Sequence, residues 1–314
     1  MTFHGVELSQ LLAAMLATGL VAAVPLTLAA VGEGFVEQAG LLNLGIEGMM
    51  LLGAFSAFWT AEATGGYGWG LAMGLVVGVL TGGIFGVLAI GAGADQVLTG
   101  LALTLTGGGA TAYLYRILYP DQQPRLNETA SALRVPGMSD VAVVGEALFS
   151  QTWLVYASWL MVPVAAWILQ KTRFGLNVRA VGEYPFAADA SGVDVVTTRY
   201  VAIGIGGGLA GLAGAFLSVV DLGFFRPGMT VGIGFIAIAI AMLGRWNPWR
   251  IFLGAVAFGL LQSLDRGLQI LRIDVRTEFI QMLPYVGIIV ALALLARRVS
   301  LPAALGVPYR RSGQ

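Results

Sequence analysis

An all-α, polytopic membrane fold is what this sequence predicts, on three observations. Hydrophobic residues fill 57% of the 314 positions and charged residues only 11%, less than half of the roughly 25% usual for soluble domains. Mean hydropathy is +0.83, and apolar stretches of about 20 residues, the bilayer-crossing length, recur throughout. The 45 glycines suit membrane helices, where small residues let backbones approach closely. Strands of about ten residues with alternating polarity, the mark of an outer-membrane barrel, do not appear. The chain, 1–314, reads as a single transmembrane domain.

About nine spans are expected, with eight to ten compatible with the pattern: 8–31, 39–61, 68–91, 96–118, 151–170, 199–220, 229–244, 251–270 and 280–296. "MTFHGVELSQ" lacks the basic run of a cleavable signal, so the first apolar stretch is expected to be a retained helix. Placing 171–198 in the cytoplasm puts ten of the 17 basic residues on that side, which favours N-terminus out and C-terminus in. The segment 119–150 is then the main external loop and 297–314 a cytoplasmic tail. Spans 1–4 and 6–9 form two groups of four with opposite orientation. Two inverted four-helix repeats, a transporter habit, would produce that arrangement.

The absences narrow the chemistry. There is no cysteine and a single histidine, His4, so thiolate and His-based metal sites and Cys or His catalysis have no material. A phosphate-binding Gly-Lys-Ser/Thr loop needs a lysine after glycine. The chain's one lysine, Lys171, follows Gln170, so any nucleotide energy must come from another subunit. Net charge zero and a pI near 6.6 give no sign of nucleic-acid binding.

Ionisable groups at membrane depth cost about 2.5–3.5 kcal/mol on insertion scales and are functional candidates for that reason. Asn43 and Glu47 stand four apart, on one helix face. They could border a translocation path, or they could tie backbone between helices, with Glu33 and Glu37 as loop residues before them. Asp95 and Gln96 read as a span boundary, and Gln96 joins the path candidates. Gly74, Gly78, Gly82 and Gly86, spaced by four, make a smooth ridge for helix packing. "GGGLAG" at 206–211 matches a dinucleotide fingerprint in form only, since it follows no strand. It reads as another packing surface.

The charged interruption "KTRFGLNVRAVGEYPFAADASGVDVVTTR", residues 171–199, contains a miniature helix. Pro185 suits a first helical position and Gly192 a stop. Such a slim plug could enter a groove on a soluble partner, or be an ordinary solvated loop.

Here the residues acquire a resemblance. "TRFGLNVRAVGEYPFAADASGV" resembles the cytoplasmic coupling segment of ABC importer permeases of the branched-chain amino acid/ribose type, nearest to the simple-sugar and nucleoside permeases. "EQAGLLNLGIEGMMLLGAF", "ADQVLTGLALTLTGGGATAYLYR" and "RPGMTVGIGFIAIAIAMLGRWNP" are similar to that group's other segments, in the same order. The resemblance implies a type II ABC importer transmembrane domain and a coupling helix at 182–192. Its matching positions are Gly182, Glu183, Pro185, Ala187, Ala188 and Gly192, with Arg179 and Phe186 beside them. It further implies a tandem ATP-binding subunit that uses ATP and Mg, a second and longer permease, an extracytoplasmic substrate-binding protein, and residence in a bacterial cytoplasmic membrane.

The reading is a non-enzymatic permease subunit of an importer for nucleosides or a related simple sugar, with no cofactor or metal on this chain. A branched-chain amino acid permease, a secondary transporter coupled through Glu47, and a non-transporting scaffold are the alternatives.

Overall fold

The computed structural model describes residues 2–3, 6–120, 123–126, 130–134, 144–270, 301–310 and scattered positions between 282 and 293. Two short strands, β1 (Thr2–Phe3) and β2 (Val6–Glu7), pair ahead of α1 (Leu8–Gln38). Next come α2 (Ile46–Thr64), α3 (Tyr67–Gly86, prolonged by a wide turn Val87–Gly91) and α4 (Gln96–Leu118). A second antiparallel pair, β3 (Ala132–Arg134) with β4 (Ser150–Thr152), flanks α5 (Val144–Phe149). Then follow α6 (Trp153–Lys171), α7 (Arg173–Glu183), α8 (Pro185–Ala190) and α9 (Val195–Ala215, prolonged by Phe216–Asp221). The short α10 (Ile233–Leu243) and α11 (Pro248–Ile270) complete the described helices.

Among the described residues, five helices are long and apolar enough to cross a membrane: Leu11–Gln38, Tyr67–Gly91, Gln96–Leu118, Trp153–Lys171 and Val195–Asp221. The chain is a multi-pass helical membrane protein. Most of the span expected at 280–296 lies outside the described residues, as do His4, Arg272, Arg276, Arg297, Arg298 and Arg311.

Three departures from the sequence expectation have local causes. α1 does not stop near residue 31 but continues to Gln38, because Glu33 and Glu37 are buried rather than solvated: they are 1% and 0% exposed. α2 begins at Ile46 and not near 39. Gly40 takes a left-handed φ of 80°, and the stretch to Gly45 runs as irregular backbone. α10 has only 11 residues, and Gly232 (φ 81°) stands before its start. Its length of roughly 16 Å, at 1.5 Å per residue, covers about half the hydrocarbon core.

α1, α2 and α9 form the buried centre, sharing a core that includes Met49, Met50, Phe58, Ile203 and Phe216. α3 lies on α9, and α11 lies along α1. In lipid there is no hydrophobic drive between helices, so close backbone packing has to hold them. α3 meets α9 on glycine from both sides. A side chain at Gly74 would strike Ala215 Cβ at 2.6 Å, one at Gly82 the Ile203 carbonyl at 2.7 Å, and one at Gly86 the Tyr200 ring at 2.8 Å. One at Gly78 would overlap the Gly207 carbonyl outright. Gly207 and Gly211, inside the "GGGLAG" stretch, are the reciprocal floor on α9.

Candidate functional site: an end platform and a broken-helix junction

One end of the bundle is built from α7, α8, the α10–α11 turn and residues 301–310. Thr172 starts α7, its hydroxyl accepting from the Gly175 amide at 3.1 Å. α7 ends at Glu183, where Gly182 backs directly onto the Gln38 carbonyl at the end of α1. No side chain fits there, so Gly182 fixes how closely α7 seats on α1. α8 follows at once, with Pro185 at its first position and Gly192 (φ 88°) just beyond it. Pro185 and Ala188 face inward, Ala188 packing with Val181 and Val195. Tyr184, Phe186 and Ala187 face outward, Phe186 with 61% of its surface free. The small helix is therefore held on a packed base with an aromatic projecting from it. Arg179 and Glu183 are exposed at its root.

Residues 301–310 lie across this platform as a strap. The Ala304 amide donates to the Gly182 carbonyl at 2.8 Å, and the Gly306 amide donates to the Gly40 carbonyl at 3.1 Å. The Ala303 amide donates to Glu183 Oε2 at 3.4 Å, and the Tyr309 ring tilts against Phe186 with centroids 5.2 Å apart. Beneath the strap Arg199, 2% exposed, donates from Nε to the Ala39 carbonyl at 3.1 Å and from Nη1 to the Val307 carbonyl at 3.2 Å. Sequence reasoning counted Arg199 only among the basic residues of the cytoplasmic side, at the end of the charged interruption. Burial of its charge instead ties the start of α9 to the end of α1 and to the strap.

The α10–α11 turn closes the same end. Arg245 and Trp246 both adopt left-handed backbone, φ 53° and 55°, which costs a non-glycine residue about 1–2 kcal/mol. Surrounding bonds over-determine it. The Trp246 amide donates to the Ala241 carbonyl at 3.0 Å, Gln38 Nε2 donates to the Trp246 carbonyl at 3.0 Å, and the Trp246 indole donates to Glu37. Glu33, one turn earlier, accepts from Asn43 Nδ2 at 3.3 Å.

Toward mid-bundle the two broken helices meet. Glu47, in the first turn of α2 and 6% exposed, reaches the free amides at the N-terminus of α10. Its Oε1 accepts from the Gly232 amide at 2.8 Å and the Thr230 hydroxyl at 2.5 Å; its Oε2 accepts from the Gly234 amide at 2.8 Å. A helix N-terminus favours an anion through its unpaired N–H groups and its dipole. Here the anion is the chain's own carboxylate. Asn43 Oδ1 accepts from the Gly45 amide at 3.0 Å, and Gln96 Oε1 accepts from the Leu42 amide at 2.7 Å. Thus Asn43, Glu47 and Gln96 all brace the irregular 39–46 stretch and its surroundings. Asp95 caps α4 by accepting from the Leu98 amide at 2.9 Å.

The glycine ridge sits apart, on the α3–α9 seam. Among the described residues no group of three or more His, Cys, Asp or Glu is placed to hold a metal. No local sequence signal marks the strap or the Glu37–Trp246 bond. Those partners lie far apart along the chain, and no periodicity marks them.

A family profile described as "Branched-chain amino acid transport system / permease component" matches residues 15–292. The guanosine ABC transporter permease NupQ of Bacillus subtilis is 35% identical over 316 residues, covering 96% of this chain and 98% of its own. The nucleoside ABC transporter permease NupC of Lactococcus lactis subsp. cremoris is 34% identical over 307 residues, 95% and 97% of the two chains. The glucose ABC transporter permease TsgB13 of Haloferax volcanii is 32% identical over 259 residues, 77% of this chain and 67% of its own. No solved structure matches the chain.

Proposed function

The chain belongs to the branched-chain amino acid transport system permease family, and from that premise we propose that it is the permease subunit of an ATP-driven importer for nucleosides or a related simple sugar. The observation that carries the reading is α8: a two-turn helix with its inner face packed, its aromatic exposed, and its base locked to α1 through Gly182. A separate ATP-binding subunit, using ATP and Mg, would dock on α8 through Phe186 and Ala187. Closure of that subunit would be relayed through α7 to the ends of α1 and α9.

The full nine-helix arrangement, with two inverted four-helix units, belongs to this proposal. Its support is the recurrence of one pattern: a long helix, an irregular stretch with left-handed glycine, and a helix starting part-way along the bundle, as in α1–α2 and α9–α10. The proposal also places 171–198 in the cytoplasm, the N-terminus outside and 119–150 as an external loop. A second permease would complete the pathway, and an extracytoplasmic binding protein would deliver the substrate. Alternating access at the seam between the permeases needs no covalent chemistry on this chain.

The test is co-purification from native membranes in mild detergent, comparing wild type with Glu183→Arg/Ala187→Trp. An ATPase that accompanies the wild type and is lost from the variant is the expected result. Uptake of labelled guanosine or glucose that persists without ATP, and stops in Glu47→Gln, would replace the importer reading with secondary transport.

A further inference from the structure

Between α7 and the α10–α11 turn lies a notch of about 490 Å³, bordered by Leu176, Arg179, Glu183, Arg245, Trp246 and Pro302. We infer that this notch is a second docking point for the ATPase, separate from α8, and that it takes an acidic side chain of that subunit between Arg179 and Arg245. The inference rests on the importer reading and deepens it by assigning the partner's chemistry at a second place.

Three features of the notch point this way. Two guanidinium groups stand exposed at its mouth, and among the described residues Arg179 engages its Nε, donating to the Gly175 carbonyl at 3.3 Å. Planar guanidinium groups bind carboxylates with paired, charge-assisted hydrogen bonds. The walls are mixed, with the stems of Leu176 and Pro302 beside buried Trp246. That suits a carboxylate on a short apolar stem. Glu183 on the rim disfavours a second acid nearby and so limits the occupant to one.

The turn itself is the third feature. Left-handed backbone at two successive bulky residues is strain that persists only where neighbours enforce it, and such strain clusters at switching and binding sites. Here it is enforced by Glu37 and Gln38 of α1. A pull on Arg245 therefore acts on α1 directly and on α10 through the Ala241 carbonyl. α10 in turn starts on Glu47 of α2. The notch is the surface entry of a bonded path to the broken-helix junction, which α8 does not touch.

The chain has no native cysteine, so single-cysteine probes need no background removal. The permease is assembled with its ATPase and second permease in nanodiscs, and Arg245→Cys and Phe186→Cys are each labelled with a photoreactive maleimide. Both are expected to cross-link the ATPase, at different peptides, the one from position 245 containing Asp or Glu. Arg245→Glu should lower substrate-stimulated ATP hydrolysis by about tenfold or more, while Arg245→Lys stays within about threefold, the scale of losing one charged contact. Cross-linking of the ATPase from position 186 but only of lipid, or nothing, from position 245 overturns the notch and leaves the importer reading standing. No ATPase in the assembly overturns both. Should Arg245→Glu fail to fold by thermal unfolding, the cross-link from Arg245→Cys still decides.

Discussion

Glu47 of α2 closes the N-terminus of α10 by accepting the Gly234 amide at 2.8 Å, so a carboxylate from one broken helix completes the other. Replacing it tests whether the role is structural. Glu47→Ala leaves three donors at the junction unpaired and is expected to cost about 2–4 kcal/mol, given roughly 1.5–3 kcal/mol for hydrogen bonds to charged groups. Glu47→Gln keeps one acceptor and should lose about half as much. Thermal unfolding in detergent measures both, and ATP-dependent uptake should fall with stability.

The α3–α9 seam separates two glycines of similar appearance. Gly78→Ala drives a methyl into the Gly207 carbonyl, whereas a methyl at Gly83 meets nothing within 4 Å. The first should lose about 1–3 kcal/mol as an overpacked site. Gly83→Ala should be neutral or gain up to about 1 kcal/mol from helix propensity. Unfolding midpoints of the two variants side by side decide it.

Arg199 joins the strap to α1 and α9. Arg199→Met removes its two hydrogen bonds while keeping apolar bulk, so amide exchange at 301–310 and 39–42 should rise by about tenfold, for roughly 1.4 kcal/mol of local opening. Unchanged exchange in the strap would mean its own backbone bonds to Gly182 and Gly40 suffice.

At the opposite end of the bundle Tyr119 donates its hydroxyl to Glu62. Burial, and then that carboxylate, hold the phenol well above its ordinary range. The raised value stabilises the neutral phenol in the folded state. Its contribution is complete below about pH 10, the ordinary phenol value, and is lost as pH climbs beyond it. Tyrosinate absorbance during an alkaline titration should therefore lose its last-titrating component in Tyr119→Phe.

Much of the fold was legible locally. Gln96–Leu118 has the boundaries expected from hydropathy, and α8 lies where Pro185 and Gly192 bracket it. The glycine ridge could be read from a spacing of four. What could not be read was where charge is buried. Glu33 and Glu37 look like loop residues because their partners are remote: Trp246 is 209 positions from Glu37, and Gly234 is 187 positions from Glu47. Hydrophobic periodicity reports which face of one element is apolar. It carries no information about which distant amide or indole will meet a carboxylate.

The strap has a consequence for biogenesis. Residues 301–310 emerge from the ribosome only after every helix they touch has been synthesised. The platform under α8 therefore lacks the Ala304–Gly182 and Gly306–Gly40 bonds until the strap itself has been made. A product stalled before residue 301 would carry these helices and yet present a loosened α7–α8 face. The strap thus completes the α7–α8 platform only after the helices it joins have been synthesised.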